Sequence, residues 1–211
     1  YKDDATAFNA QKKAKFENKG RLNKAITLLM YQMMEEKGVP THLVSDVDEV
    51  NLLVKKVDIL MVEVIVRNSA AGSFCKRTAM EEGTDFKIPI VEFSYKSDEL
   101  GDPLINEDYA REMNIASPED CAFLKKQALV INDVMSAFFL QCGLKLVDFK
   151  IEFGKDGNGK IVLADEVSPD TCRLWDATTG KKMDKDRFRE DLGGVMEGYE
   201  EVLARLEKAR G

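Results

Sequence analysis

Apolar and charged residues alternate in the segment Val147-Asp148-Phe149-Lys150-Ile151-Glu152-Phe153. Residues two apart lie on the same face of a β-strand, so Asp148, Lys150 and Glu152 share one face and the apolar residues line the other. The apolar face is expected to cover the core. Charged side chains are out of place on a buried strand, and we interpret this conflict as the mark of a functional site.

A second strand is predicted directly after this one. Residues 154–159 are rich in turn formers and residues 161–164 (IVLA) form an apolar run, which together predict a β-hairpin. The second strand ends in Asp165 and Glu166, so acidic groups are concentrated at one edge. Carboxylates in such a position suit the coordination of Mg²⁺ beside phosphates.

A solvated face is the simpler explanation for alternating charges, and it holds for most hairpins. Here residues 161–164 are apolar on both faces, which indicates a sheet that is covered on both sides and whose charges need partners. The cross-strand register does not follow from the sequence. Which of Asp165 and Glu166 meets Glu152 therefore stays open.

The composition is that of a soluble globular protein large enough for one domain or two lobes, with 211 residues, 44% hydrophobic and 33% charged. With 38 acidic and 31 basic residues the net charge is −7, which disfavours nucleic acid as a partner. The four cysteines form no Cys-x-x-Cys pair, so we expect no zinc site or disulfide framework and a reducing, cytoplasmic location. No apolar run reaches the roughly 18 residues of a membrane span, so no membrane partner is expected.

The other segments predict both helices and strands. Residues 9–21 are polar and lysine-rich and are predicted to form a mobile loop. Apolar residues at helical spacing predict a helix from Leu22 to Gly38. Ser117 is the predicted N-cap of a helix that ends near Cys142, and apolar residues surround most of its circumference, as in a central buried helix. Further elements are predicted at residues 44–57, 59–67 and 88–96 (strands), 106–109 (a short helix) and 183–206 (an interrupted helix).

Two features stand out around the strand at residues 59–67. Glu63 interrupts an apolar run, so it must meet a cation or a ligand group or lie at an exposed edge, because burying an unpaired carboxylate is costly. The loop at residues 68–73 consists of small residues and follows Arg67. Small side chains let backbone N–H groups approach an anion, so this loop is a candidate anion site, although such loops are common.

Three long motifs closely resemble the phosphoribosylaminoimidazole-succinocarboxamide synthase (SAICAR synthetase) family of purine biosynthesis. They are residues 64–73 (VIVRNSAAGS), residues 147–153 (VDFKIEF), and residues 165–170 (DEVSPD) with residues 173–176 (RLWD). The resemblance spans almost the entire chain. It implies a two-lobed α+β fold with antiparallel sheets and an ATP site in the cleft between the lobes, loosely like kinases and ATP-grasp enzymes. We expect an N-terminal lobe at residues 1–95 and a C-terminal lobe, with the metal and ribotide sites, at residues 96–211.

The resemblance implies an ATP-dependent ligase that joins L-aspartate to the carboxylate of carboxyaminoimidazole ribotide and releases ADP and phosphate. ATP is then a co-substrate, Mg²⁺ is required, and the partners are small molecules. A homodimer is the candidate assembly. The family's first hairpin, with a glycine- and lysine-bearing turn over the ATP phosphates, is expected before Tyr1, so we expect the native protein to contain it.

The resemblance also implies roles for individual residues. The ribotide would be bound by Arg67, Ser73, Asp170 and Arg173. The nucleotide would be bound by Ile59, Leu60, Met61, Val62, Lys96 and Glu152, with Asp102 at a matching position of the family's second loop. Mg²⁺ would be held by Asp165 and Glu152. The candidate catalytic residues are Asp148, Lys150 and Asp170, of which either aspartate could accept the proton of the aspartate amine.

Two other functions are weighed against this one. Asp148-Phe149-Lys150 faintly resembles the kinase D-F-G element, but no H-R-D catalytic loop precedes it. A kinase-like small-molecule phosphotransferase is therefore one alternative, and a non-catalytic nucleotide-binding protein is the other. Aspartate-dependent release of ADP separates the three, since a kinase does not need aspartate and a binding protein releases no ADP.

Overall fold

The structure, a computed structural model, describes residues 1–7 and 12–211. The strands are β1 (Asp4–Ala7), β2 (Lys12–Lys15), β3 (Leu43–Asp46), β4 (Leu52–Val54), β5 (Asp58–Ser69), β6 (Asp85–Tyr95), β7 (Leu104–Ile105), β8 (Leu144–Lys155), β9 (Ile161–Ala164) and β10 (Cys172–Asp176). The helices are α1 (Lys19–Glu36), α2 (Ser73–Thr78), α3 (Glu107–Glu112), α4 (Pro118–Gln141), α5 (Asp186–Arg189) and α6 (Val195–Arg210). The predicted α+β class is confirmed.

A six-stranded antiparallel sheet forms the centre of the fold. Its strand order is β10-β8-β5-β6-β7, and β9 pairs with part of β8. The predicted hairpin is formed by β8 and β9, with Glu152 opposite Ala164. Asp165 and Glu166 therefore follow the end of β9, and neither lies directly opposite Glu152. The pairs β1–β2 and β3–β4 form two small sheets of their own.

The apolar faces of β5 and β8 cover the main core. Val64 and Val66 of β5 and Phe149 and Ile151 of β8 are buried there. Helix α4 packs against both strands. Because side chains alternate along a strand, the charged residues between these positions share the opposite face of the sheet.

The loop predicted at residues 9–21 is wrong from residue 12 onward. β2 begins at Lys12 and α1 begins at Lys19, earlier than predicted, and residues 9–11 lie outside the described residues. Lys19 is buried in the first turn of α1 by an ion pair with Asp170, with 2.6 Å between Nζ and Oδ2. A helix that begins with an ion-paired lysine gives no apolar period from which its start can be recognised.

Helix α4 begins as predicted, because the Ser117 Oγ accepts a hydrogen bond from the Asp120 N–H at 3.0 Å. The prediction that this helix is central and buried all round is wrong. One side packs on the sheet, whereas Phe123 and Leu140 are 37% and 64% exposed. In the part of the chain that the structure describes, no helix combines the length and the apolar content needed to cross a bilayer.

Strands of the central sheet come from both sides of the predicted lobe boundary. β5 and β6 precede it, whereas β7, β8, β9 and β10 follow it. Adjacent strands of one sheet therefore bring together side chains that are distant in sequence. The division into lobes of residues 1–95 and 96–211 stays a prediction.

Candidate active site

The charged face of β5 and β8 borders a cavity of about 180 Å³. Its lining includes six residues that the sequence predicts to bind substrate or to act in catalysis: Arg67, Ser73, Asp148, Lys150, Asp170 and Arg173. These residues come from β5, α2, β8, the loop after β9, and β10. The fold thus brings the predicted substrate-binding residues to one place.

Arg67 is held on the sheet by two carboxylates. It is 3% exposed, and the register of β5 and β8 places it opposite Asp148. Its Nη1 donates to Asp148 Oδ2 at 2.8 Å and its Nε donates to Glu92 Oε2 at 2.7 Å. Its Nη2 lies 3.4 Å from Ser73 Oγ, to which it donates. The guanidinium is therefore fixed beside the start of α2.

Arg173 is fixed in the same way from the other side of β8. β10 places it opposite Asp148, and its Nη1 donates to Asp148 Oδ2 at 2.9 Å. Its Nε donates to Asp186 Oδ2 at 2.6 Å. Burial alone would lower the pKa of Arg173, but Asp148 and Asp186 raise it above its ordinary value. Arg67 and Arg173 therefore share one aspartate.

Gly72 leaves room for the Arg173 guanidinium. Its φ is +53°, in the region that favours glycine, and a Cβ at this position would lie 2.7 Å from Arg173 Cζ. The approach of the backbone to the guanidinium therefore requires glycine. This explains one position of the small-residue loop that the sequence predicts to be an anion site.

Arg189 is a cavity-lining cation that the sequence reasoning missed. It lies on the short helix α5, and its Nη1 donates to Asp186 Oδ1 at 2.6 Å. At the other end of these ion pairs, Arg77 Nη2 donates to Glu92 Oε1 at 2.9 Å. The ion pairs therefore join seven residues of alternating charge. We name them the arginine–carboxylate chain: Arg77, Glu92, Arg67, Asp148, Arg173, Asp186 and Arg189. The only signal for Arg189 in the sequence is the charged segment at residues 186–189, which resembles an exposed helix.

Two lysine–glutamate pairs continue along the same face. Lys150 Nζ donates to Glu63 Oε1, and Lys96 Nζ donates to Glu152 Oε1 at 2.6 Å. Glu63 and Glu152 lie opposite each other on β5 and β8 and are 1% and 5% exposed. The expectation that a carboxylate at Glu63 needs a cation is therefore met by Lys150.

Near the end of β9, the charge of Asp165 acts on the carboxyl of Glu152. Burial raises the pKa of Glu152, and the charge of Asp165 raises it further. Desolvation also raises the pKa of Asp165, although this residue is partly open to solvent. Its φ of +64° is unusual for a non-glycine residue. Among residues 1–7 and 12–211, no group of three or more histidines, cysteines or acids is arranged to hold a metal ion. Any Mg²⁺ would therefore need ligands beyond the protein, as is common for magnesium bound with nucleotide phosphates.

Asp170 is engaged on both of its carboxylate oxygens. Oδ2 accepts hydrogen bonds from Lys19 at 2.6 Å and Asn23 at 3.1 Å, and Oδ1 accepts one from Tyr199 at 2.7 Å. Burial alone would raise the pKa of Asp170, but Lys185, Lys19 and these hydrogen bonds outweigh it and lower the pKa. A low pKa and full hydrogen bonding suit an anchor between α1, α6 and the cavity better than a general base.

Glu166 differs from Asp170 because a hydrogen bond with Ser168 and the charge of Lys19 compensate its burial only in part. Its Oε2 is buried and has no hydrogen-bond partner within the described ranges. Burial, followed by the charges of Asp170 and Asp165, raises the pKa of Glu166 to about 7. The neutral form of this carboxyl is therefore favoured by its surroundings.

The predicted nucleotide-binding strand segment is divided between two faces. Ile59 and Met61 are 37% and 40% exposed, whereas Leu60 and Val62 are buried in the core. Alternation along β5 therefore leaves Ile59 and Met61 as the residues able to touch a base. Asp102 lies in the turn after β6, where its Oδ1 accepts the Ser97 N–H at 2.9 Å.

Comparison with known proteins identifies relatives of this chain. A family model described as SAICAR synthetase matches residues 1–206. The phosphoribosylaminoimidazole-succinocarboxamide synthase of Akkermansia muciniphila is 69% identical over 209 residues, which cover 98% of this chain and 89% of that protein. The crystal structure of the Ehrlichia chaffeensis synthase has a TM-score of 0.96 at 46% identity and covers 98% of this chain and 89% of its own. A SAICAR synthetase in complex with ADP has a TM-score of 0.95 at 46% identity, with coverages of 98% and 88%.

The α+β fold and these relatives define an enzyme of the ligase class. The chain belongs to the SAICAR synthetase family.

Proposed function

We propose that this chain joins L-aspartate to carboxyaminoimidazole ribotide with ATP, giving SAICAR, ADP and phosphate in purine biosynthesis. The observation that carries the proposal is the cavity in which Arg67, Arg173 and Arg189 converge beside Lys150. Such a group of fixed guanidiniums suits a phosphate monoester, because guanidiniums bind phosphate oxygens in pairs. The family membership supports the same substrate.

The ribotide phosphate is assigned to Arg67, Ser73, Arg173 and Arg189. Asp170 is assigned to the ribose side of the same ligand, near the loop that joins β9 to β10. In this orientation the ribotide carboxylate points along β8 toward Lys150 and Glu152. The direction is supported by the order of side chains on that strand, in which Asp148, Lys150 and Glu152 follow one another on one face.

The nucleotide is assigned to the other end of this face. Ile59, Met61 and Lys96 would border it, and Glu152 and Asp165 would hold Mg²⁺ together with phosphate oxygens. These two carboxylates fit a hard divalent cation. Burial raises the pKa of both groups, so a bound cation would stabilise their ionised forms. Mg²⁺ there would neutralise the charge on the transferred phosphoryl group.

A carboxylate needs activation before an amine can attack it. The ribotide carboxylate oxygen would attack the γ-phosphorus of ATP, giving an acyl phosphate and ADP. The aspartate nitrogen would then attack the acyl carbon, with loss of phosphate and of one amine proton. Asp148 and Asp170 are the predicted acceptors of that proton, and the low pKa of Asp170 weakens the case for Asp170.

The test is a coupled assay of ADP release in which ATP, ribotide, aspartate and Mg²⁺ are omitted one at a time. We expect ADP release to need all four. ADP release without aspartate would indicate a phosphotransferase, and binding of nucleotide without any ADP release would indicate a non-catalytic protein. The four free cysteines fit the predicted cytoplasmic location, which fractionation of the source cells would test.

A further inference from the structure

Glu63 has a place in the site to which the proposed function assigns no role. It lies in the middle of the central sheet, opposite Ser94 of β6 and Glu152 of β8, and is 1% exposed. Ser94 Oγ donates to Glu63 Oε2 at 2.8 Å, and Lys150 Nζ donates to Oε1. Both oxygens are engaged within the protein, so Glu63 is unsuited to bind a ligand itself.

Lys150 reaches Glu63 diagonally across the strands. Lys150 lies opposite Ile65 of β5, and Glu63 precedes Ile65 by two residues on that strand. Diagonal neighbours in an antiparallel pair are within reach of long side chains. The Lys150 side chain is 36% exposed and lines the cavity. An ammonium has three N–H donors, so the one used by Glu63 leaves two for a ligand.

Lys150 also lies between the two ends of the proposed site. Alternate residues of a strand are about 6 to 7 Å apart, so Lys150 stands midway between Asp148 and Glu152 on the charged face. Asp148 belongs to the arginine–carboxylate chain at the ribotide-phosphate end. Glu152 belongs to the nucleotide end, where it is coupled to Asp165.

We propose that Glu63 is a positioning residue that fixes the Lys150 ammonium at the junction between these two ends. The inference rests on the proposed function, since the junction is where the ribotide carboxylate would receive the phosphoryl group. Two anionic groups must approach each other there, and a cation already held in place lowers the cost of that approach without reorganisation. A lysine held by a buried carboxylate keeps this position before the substrates bind.

The test is Glu63→Gln, which keeps the shape of the side chain and removes its charge. We expect kcat to fall about 10- to 100-fold, as when a group that orients a metal ligand is lost. The KM values for ribotide and ATP should stay close to wild type, because Arg67, Arg173 and Lys96 keep their partners. A structural defect alone would not produce this separation of kcat from KM.

The second measurement reports on Lys150 directly. Acetic anhydride labelling of the free protein, read by peptide mass spectrometry, gives the reactivity of Lys150 relative to Lys96. We expect Glu63→Gln to raise the labelling of Lys150 and to leave that of Lys96 unchanged. The matched control is Ser94→Ala, which removes the other hydrogen bond to the same carboxylate and should leave both kcat and Lys150 labelling near wild type.

The outcomes separate this inference from the proposed function. If the wild-type protein releases no ADP, the proposed function fails and labelling alone decides whether Glu63 holds Lys150. Unchanged labelling of Lys150 in Glu63→Gln overturns the inference, whatever happens to kcat. If the wild-type protein is active, a wild-type kcat in Glu63→Gln also overturns it. Should Glu63→Gln not fold, Glu63→Asp replaces it, because the shorter side chain withdraws the carboxylate from Lys150 and keeps the charge.

Discussion

Asp148 and Arg67 face each other on neighbouring strands and form a buried ion pair of 2.8 Å, while Arg173 binds the same aspartate from the opposite strand. One carboxylate thus pairs with two guanidiniums that come from strands on either side of it. It also occupies the position next to which a phosphate would bind. We therefore expect the proposed phosphate binding in the cavity to be linked to the stability of the sheet.

Replacement of Asp148 tests the link between phosphate binding and the stability of the sheet. We expect Asp148→Asn to lower the free energy of unfolding by about 3 kcal/mol, because two buried cations lose their shared partner. Inorganic phosphate should raise the melting temperature of the variant more than that of the wild type, since it supplies the missing negative charge. Thermal melts with and without phosphate measure this, with Asp133→Asn on the exposed side of α4 as control. An equal phosphate effect in both proteins would contradict the prediction.

The close approach of Gly72 to Arg173 gives a second prediction. Gly72→Ala should displace the guanidinium and raise the KM for ribotide about 10-fold or more, the equivalent of one weakened charged hydrogen bond. The KM for ATP should change little. Gly157→Ala is the matched control, because no atom lies within 4 Å of a Cβ at that turn position. Identical ribotide KM values in the two variants would show that Arg173 does not contact the ribotide.

The proposed metal ligand is tested by Asp165→Asn. We expect turnover to fall about 100-fold or more, because charge neutralisation at the phosphoryl group is worth several kcal/mol. The melting temperature of the nucleotide-free protein should not fall, since the variant removes a charge that is disfavoured in the folded state. Calorimetric titration with Mg²⁺ and ADP should show weaker binding. Full activity of Asp165→Asn would remove this residue from the metal site.

Asp170 gives a prediction about acid stability. Its pKa is lower in the folded protein than the ordinary value of 3.8, so its stabilising effect is complete above that pH and is lost as the pH falls through the folded value. Asp170→Asn should cost about 3 kcal/mol at neutral pH, because Lys19 stays buried without its partner. The difference from wild type, measured by urea unfolding, should narrow below pH 3.8. Tyr199→Phe, which removes one hydrogen bond to Asp170, should keep most of the pH dependence.

Glu166 contributes a pH dependence of stability that is opposite in sign to that of Asp170. Its pKa is raised from 4.5 to about 7, so the folded state holds a proton that the unfolded state releases, and stability falls as the pH rises from 4.5 to 7. A shift of this size corresponds to about 3 kcal/mol. Glu166→Gln should therefore be more stable than wild type above pH 7 and equally stable near pH 4. Urea unfolding of both proteins near pH 4 and above pH 7 tests this expectation. The same pH dependence of the free energy of unfolding in the two proteins would contradict it.

The parts of the site that the sequence predicts are those governed by alternation and strand pairing. The face shared by Asp148, Lys150 and Glu152 follows from the period of two, and the need of Glu63 for a cation follows from the cost of burying a charge. Both are local arguments. The register that sets Arg67 and Arg173 on either side of Asp148 depends on contacts between distant strands, so sequence alone could not supply it.

The features that escaped prediction share one physical cause. Lys19 begins α1 and forms an ion pair with the distant Asp170, whereas Arg189 borders the cavity and forms an ion pair with Asp186 at the start of the same short helix. Patterns of apolar residues carry no information about such pairs. The burial of only one side of α4 escaped for a related reason, because apolar residues on its outer side look the same in sequence as those that face the sheet.

The arginine–carboxylate chain contains four arginines and three carboxylates, and each inner member serves two neighbours. Exchange of an inner member removes one ion pair from each of its two neighbours, and exchange of Arg77 or Arg189 at the ends removes one ion pair from a single carboxylate. We therefore expect evolutionary drift at these positions to be slow and to occur in coupled pairs. Redesign of the cavity for an uncharged ligand would likewise require acids of the arginine–carboxylate chain to be removed together with the arginines that they bind.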